Sequence, residues 1–557
     1  MRDDSQHEGL FLSLDVGTSG VKASVFTADG VCRGERSAPV NILTPRPGWS
    51  ELSLERVWEA VVKTSRDLVT SREAGRSVVG IGLSVASPTV VAVDPTGRAL
   101  SNGLTYADSR AQVRLDRIRK LVGDERYRQL TGNRLALSLC SAAAMLHLID
   151  EIGSSGGLRT GHLNSYLVCR LTGRWVMDWT NASYTGLVNL RAPGEWSSEA
   201  CEALEFPTWL LPELVAPWEP IGRLSAEAAA ELGLGRSVVV VTGAADTACS
   251  AYGVGCVSDG DVFESAGTSG VLTVCHAHPP GSPLFLNRAH VVPGRWLSHG
   301  AMSAAGAAVR WLRDAIFSSV GPGSSEPDDY AWINAEAAKS ASGAGGVVFL
   351  PYLLGERTPV WDPGARGAWV GMSVGTGRHD LIRAVLESVG YSMRQMLEIE
   401  EIQRGLEVEE VLIVGGGARN RFWTQMKADI TGKRYRKAGE VESASRGAAM
   451  LAAVGLGAHD DVWAASAAIG SPESEPVEPT TDAAVRETYE RRYRVFKSLY
   501  PALRELFGDL RDGAQNRATE PGDGQVPIKG STKGSTCETG GATVTCSVGA
   551  GGLGKQA

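Results

Sequence analysis

The chain has 557 residues, 43% of them hydrophobic and 21% charged, with a formal net charge of −8. That balance excludes a binder of nucleic acid through a broadly basic face, yet leaves room for phosphate ligands held by backbone N–H groups. No apolar run approaches the ~20 residues of a membrane helix, and the opening MRDDSQHEG has no signal-peptide core, so a cytoplasmic protein of two or three domains is expected.

The first elements read as strand, turn, strand: GLFLSLDVG is an apolar run, TSG a turn, and VKASVFTADG alternates before a second turn at Asp29–Gly30. A helical pattern covers Leu54–Val69, and SVVGIGLSVA and TVVAVDPTG follow as strands. Strands and helices continue to mix up to Val241, which predicts an α/β architecture. Then the pattern starts again. SVVVVTGAAD is a strand leading into a small-residue helix, and GDVFESAGTSGVLTVCHA is strand, turn, strand. SAAGAAVRWL opens a further helix. VEEVLIVGGGARNRFWTQMKADITG is strand, glycine loop, helix, and amphipathic helices cover Asp380–Glu400 and Ala483–Phe507. The expected division is a flexible 1–9, domains at 10–241 and 242–511, and a Gly/Ser/Thr-rich tail at 512–557 too poor in large apolar residues to order itself. Seven of the nine cysteines lie in apolar or small-residue surroundings and no CxxC pair occurs, so reduced thiols are expected. Cys537 and Cys546 fall in the tail.

The two halves each carry a Gly-Thr-Ser-Gly turn, in DVGTSG at 15–20 and SAGTSG at 265–270. Such a turn offers successive N–H groups, with the hydroxyls of Thr18 and Ser19 added, as a cradle for phosphate oxygens. Asp15 is placed to hold Mg²⁺ through waters, and Lys22 to reach the phosphates as a point charge. Taken alone, the turn also fits an ordinary hairpin capped by its own aspartate. The second turn, Gly267–Gly270 with Thr268, is led by Ser265 instead of an acid. One metal needs one carboxylate, and two loops grip a phosphate chain from both sides.

Asp246, after a strand and at a helix start, fits either a helix cap or a general base that takes a proton from a hydroxyl. Gly415–Gly417 fits either a bare backbone surface for adenine or a tight turn capped by Asn420. Gly306 fits close ligand approach or close helix packing. His276 and His278 share a strand face without further ligands, and neither a Walker loop nor a GxSxG elbow occurs.

From about Phe11 to Phe507 the series LDVGTSGVK, TYADSRA, CRLTGRWVMDWTNASYTGL, VTGAADTACSAYGVG, ESAGTSGVLTV, LPYLLGERTPVWDPGARGAWVGM and IVGGGARN…SRGAAMLAAVGLG resembles the FGGY carbohydrate kinases of the actin/hexokinase-like ATPase superfamily. The resemblance implies two ribonuclease-H-like domains with a cleft between them, ATP mainly on the C-terminal one and sugar mainly on the N-terminal one. It implies Mg²⁺ at Asp15, phosphate contacts from Thr18, Lys22 and Thr268, and Asp246 as the base. It further implies an adenosine site at Gly306, Gly415, Gly416 and Asn420, and a sugar side shaped by Ser87, Asp108, Arg110 and Thr247.

Within that resemblance the substrate positions depart from xylulokinases. Ser87 and Pro88 stand where those enzymes have Met and His, Thr247 where Asn is frequent, Tyr106 where Trp is expected, and Ala144 where a lysine is expected. The expected activity is ATP-dependent phosphorylation of a small sugar or polyol, a pentulose first, another ketose or an alditol second. A non-kinase actin-like ATPase or nucleotide sensor is the alternative from another class. Asp246 argues against the sensor, which needs no base. The expected partner is the acceptor, with a homodimer as an open option and neither nucleic acid nor membrane involved.

Overall fold

The computed structural model describes residues 9–69, 77–153, 157–317, 329–405, 407–439, 442–470 and 474–515. Two sheets organise them. In the first, β1 (Leu10–Val16) and β2 (Gly20–Phe26) form the expected hairpin, with Asp15 paired opposite Lys22, and β3 (Cys32–Pro39) extends it. On the other side of β1 runs β4 (Val78–Val85), parallel, with Asp15 beside Ser84. Beyond it come β5 (Pro220–Arg223), β6 (Val239–Val241) and β7 (Ala244–Ala245), giving the order β5-β6-β4-β1-β2-β3 with β7 also alongside β4. The side chains of β4 are almost all buried, as a central strand covered on both faces requires.

The second sheet repeats the theme. β8 (Val262–Ala266) and β9 (Gly270–His276) form the second hairpin, with Ser265 opposite Val271. β10 (Leu286–Ala289) and β11 (Trp296–Met302) extend it on one side, and β12 (Glu410–Val414) and β13 (Arg434–Lys437) on the other, in the order β10-β11-β9-β8-β12-β13.

Helices fill three layers. α1 (Leu54–Val69), α2 (Leu163–Thr172) and α3 (Ala226–Leu232) cover the outer face of the first sheet through Val57, Val61, Leu167 and Leu232. Between the sheets lie α4 (Asp246–Gly253) and, much later in the chain, α8 (Ser443–Gly455), sharing one core with Phe11 and Phe26 of the first sheet and Phe263 and Leu297 of the second. The short α5 (Gly306–Trp311), α6 (Arg378–Arg404), α7 (Arg421–Thr431) and α9 (Ala483–Gln515) close the outer face of the second sheet. The first sheet thus takes in chain as far as Ala245, a few residues past the expected boundary at 241. The last helix continues to Gln515, and the expected tail from 516 onward, with Cys537 and Cys546, lies outside the described residues. The other seven cysteines are free thiols.

The middle layer is tight because of glycine. A Cβ on Gly447 of α8 would lie 2.0 Å from the Cys249 carbonyl oxygen of α4, and one on Gly253 of α4 would lie 1.9 Å from that of Ser443. A Cβ on Gly82 of β4 would meet the Ala448 carbonyl oxygen at 2.0 Å.

In the second half, Lys427 of α7 and Glu264 of β8 form an ion pair that is almost wholly enclosed, with the Lys427 Nζ 4.6 Å from the Trp423 ring centre. Removing one partner strands the other charge, so Lys427→Met is expected to destabilise the fold by about 3–5 kcal/mol, read as a lower urea midpoint at constant slope. Lys427→Met with Glu264→Leu is expected to recover most of that loss. A single variant as stable as the wild type would mean the pair does not govern this core.

Candidate active site

Each turn is closed by the N–H of its first glycine. Gly17 N–H donates to the Gly20 carbonyl at 2.9 Å and Gly267 N–H to that of Ser269 at 3.1 Å, which leaves the tips of both loops facing outward. Ser19, Gly267 and Thr268 are exposed and Thr18 is half-exposed. The second hairpin reaches a cavity of ≈ 180 Å³, lined among others by Ser250, Ser265, Gly415, Gly416, Lys437 and Glu442. Ser265 leads the second turn. The first hairpin is tied to the cavity lining through Lys22, whose Nζ lies 2.9 Å from Glu442 Oε1. Lys22, expected to be directed at phosphates, is therefore held by a carboxylate from the other half of the chain.

Asp15 accepts a hydrogen bond from Ser84 Oγ at 2.7 Å, a contact set by the parallel register of β1 and β4. Asp246 follows β7, whose Ala244 lies beside Ser84 on the far side of β4. The two aspartates thus stand at the carboxyl ends of strands two places apart, about 10 Å between backbones at one sheet spacing per step. This is where open α/β sheets present their ligands.

The start of α4 is held by a buried network. Asp178 caps the short helix Trp179–Ala182 by accepting from the backbone of Thr180 and Asn181, and it also accepts from the Thr180 hydroxyl. Thr180 Oγ1 then accepts from Ala245 N at 2.9 Å, the residue before Asp246. Asp246 Oδ1 accepts from Thr247 N at 2.7 Å, but the cap position itself is Ala245. One helical turn on, Ser250 lines the cavity, so Asp246 faces the same way.

Burial is the main reason the Asp246 carboxyl is pushed up to about 7. The negative charge of Asp15 adds to the rise and the Thr247 amide opposes it. Burial likewise raises Asp15 to about 6, against the Ser84 hydrogen bond and Lys22, with Glu442 adding to the rise. Two carboxyls raised toward neutral pH, with Asp246 in the field of Asp15, suit a base and a cation ligand.

On the opposite wall, Gly415 has φ 85° and its Cβ position would meet the Ala266 carbonyl oxygen at 2.9 Å, so it lets the loop bend against β8. Gly416 would meet nothing within 4 Å and is the open surface. Asn420 caps α7 by accepting from Trp423 N, and exchanges side-chain amide bonds with Asn334. Gly306 is a packing glycine: a Cβ there would lie 2.6 Å from the Gly267 carbonyl oxygen, and the N–H groups of Gly306 and Ala307 donate to Gly267 and Thr268. It seats α5 on the second turn. Arg310, one turn along α5, donates to Thr268 Oγ1 at 2.9 Å. The sequence reading missed Arg310, although its spacing from Gly306 marks it; it also missed Ser84, which only the strand register identifies.

The expected sugar-side residues divide. Thr247 lies beside Asp246, and Ser87 Oγ donates to Asn181 Oδ1 within the network that holds α4. Asp108 and Arg110 pair with each other, and Arg110 also reaches Glu51 Oε1 at 2.6 Å and stacks 3.8 Å over Trp49. Asp108 Oδ2 accepts from Ser50 N. Their charges are mutually satisfied, so they brace a loop.

This geometry has known counterparts. Residues 10–253 match the N-terminal domain of the FGGY family of carbohydrate kinases, and residues 262–456 match its C-terminal domain. The chain belongs to the FGGY carbohydrate kinases. A xylulose kinase of Staphylococcus epidermidis is 30% identical to this kinase over 506 residues, 90% of this chain and 98% of the relative. A glycerol kinase of Thermococcus kodakarensis is 28% identical, over 90% of this chain and 98% of the relative. The crystal structure of a xylulose kinase from Rhodospirillum rubrum superposes with a TM-score of 0.79 at 28% identity, covering 90% of the kinase and all of that chain. The two sheets are therefore the two domains of an actin-like ATPase fold. Among the described residues no helix is long and apolar enough to cross a membrane.

Proposed function

We propose that the kinase transfers the γ-phosphoryl group of ATP to a terminal hydroxyl of a small open-chain sugar or polyol, with a pentulose as the reference acceptor. The likeness to xylulose kinases supports that reference, and the glycerol kinase relative supports the wider class. The observation that carries the reading is Asp246: a carboxyl raised to about 7, one helical turn before Ser250, which lines the cavity that the second turn reaches.

In the reaction, Asp246 accepts the proton of the acceptor hydroxyl. That oxygen bonds to the γ-phosphorus while the bond to the β,γ-bridging oxygen breaks and ADP leaves. The outward tips of the turns, with Thr18, Ser19 and Thr268, hold the phosphate oxygens, and Arg310 brings a positive charge to the second turn. Lys22 joins them as phosphates compete with Glu442 for it. Gly415 and Gly416 give adenine a bare surface bounded by Asn420, and Gly306 keeps α5 close to the turn. Thr247 flanks the acceptor, and Ser87, Asp108 and Arg110 hold the surrounding loops.

Asp15 fits Mg²⁺: Ser84 holds its Oδ1, and one carboxylate with waters and phosphate oxygens is a sufficient donor set. Bound there, the ion would neutralise phosphate charge as it develops.

Coupled ADP release over pentuloses, hexuloses, alditols and sugar acids tests the reading. ADP formation is expected to rise at least about 10²-fold over the acceptor-free rate with one class of acceptor. ATP hydrolysis at one constant rate, with or without acceptor, would instead identify an ATPase or sensor.

A further inference from the structure

The kinase reading leaves a buried cation unexplained. Arg288, on β10, is 6% exposed. Its guanidinium lies 3.8 Å over the Tyr184 ring, and Nη1 donates to the Tyr184 hydroxyl and, at 3.2 Å, to Thr247 Oγ1. The two hydroxyls are themselves 3.2 Å apart. The second sheet thus delivers a guanidinium to the residue next to Asp246, on the acceptor side.

Among the described residues that charge has no counter-charge. Burial first, and then repulsion from Arg357, lowers its pKa to about 9, so it stays protonated at neutral pH. Its Nε is enclosed without a hydrogen-bond partner. Arg357 donates to the Met302 carbonyl at 3.2 Å. The acid beside it, Glu356, is raised by burial to about 7, and its Oε1 already accepts from Ser303 N and Arg357 N. A third arginine flanks the same region: Arg134 stacks 4.2 Å over Trp361, four residues past Arg357, while its neighbour Asn133 exchanges hydrogen bonds with the backbone of Asn287.

Burying a guanidinium without an anion is costly, and hydroxyl dipoles and a ring face offset only part of that. An anion completes the site. The phosphates of ATP belong to the two turns, whereas Arg288 adjoins Thr247, so the missing charge belongs to the acceptor. A planar guanidinium suits a carboxylate, which accepts two parallel hydrogen bonds.

We propose that Arg288 binds a carboxylate carried by the acceptor, and that the preferred acceptor is an open-chain polyhydroxy acid with a terminal hydroxyl, ahead of the neutral ketose or alditol of equal length. This rests on the kinase reading above and fixes the charge of its substrate. The phosphoryl transfer is unchanged, and the carboxylate is bound and not consumed.

The test uses the full chain with ATP and Mg²⁺, and compares D-xylonate and D-gluconate with xylitol, sorbitol and D-xylulose. The wild type is expected to show kcat/KM at least about tenfold higher for an acid than for its alditol. Arg288→Met is expected to lower that acid-to-alditol ratio by about 10–100-fold, through loss of a charged hydrogen-bond pair. Arg288→Lys, which keeps the charge without the fork, is expected to restore part of it. A purely architectural arginine predicts equal losses for both classes, and that result overturns the proposal. So does a wild type that prefers neutral acceptors, a comparison that needs no variant to fold. Turnover on neutral acceptors alone removes only this proposal, whereas no turnover on any acceptor removes the kinase reading with it.

Discussion

Asp246→Asn is expected to lower kcat by about 10²–10⁴-fold while nucleotide affinity stays within a few-fold of the wild type. The amide keeps the shape and accepts from Thr247 N as the carboxylate does, but it cannot take a proton. The two Gly-Thr-Ser-Gly turns are separate from α4, so nucleotide binding, followed by calorimetry, is the control. The pH profile gives a second handle. A base must be ionised, and the free carboxyl of Asp246 is raised to about 7, chiefly by burial. kcat/KM for the acceptor is therefore expected to fall toward acid pH with a midpoint near 7, tenfold per unit below it. A midpoint near 4, or an asparagine variant with wild-type turnover, would remove Asp246 from the role of base.

Gly447→Ala is expected to be severely damaging for so conservative a core change, destabilising by ~3 kcal/mol or preventing folding. Its added carbon would sit 2.0 Å from a backbone oxygen of α4 and 2.8 Å from the carbonyl carbon, with no flexible side chain to move aside. Because Gly253 and Gly82 close the same stack from other directions, relief would mean shifting α8 off both α4 and β4. That shift would also displace Ser443 and Glu442, which line the cavity. Gly416→Ala, where the new carbon meets nothing within 4 Å, is the matched control and is expected to leave the denaturation midpoint unchanged. Equal midpoints for the two variants would show that the middle layer tolerates separation.

The legible parts of the site are those whose chemistry is local. Each Gly-Thr-Ser-Gly turn is closed by hydrogen bonds within four residues, so its form could be read from the run itself. The α1 span was visible at Leu54–Val69 because its buried positions repeat at helical spacing. By sequence, Gly306 and the Gly415–Gly417 loop, with Asn420 as its cap, each allow two readings. The close backbone approach at Gly306 and the cap made by Asn420 are the roles the structure shows for these two residues.

Sequence alone determined the α/β class, the duplicated hairpins and the single aspartate that leads only the first of them, because these follow from alternation, turn chemistry and residue order. Tertiary structure decided which charges are free. Lys22 meets Glu442 across 420 positions by the layering of α8 on the first sheet, Arg110 is satisfied by Glu51 and Asp108, and Arg288 is brought to Thr247 without an acid. Ion pairing and desolvation depend on distances of a few ångströms between segments far apart in the chain, and local sequence carries no record of those distances.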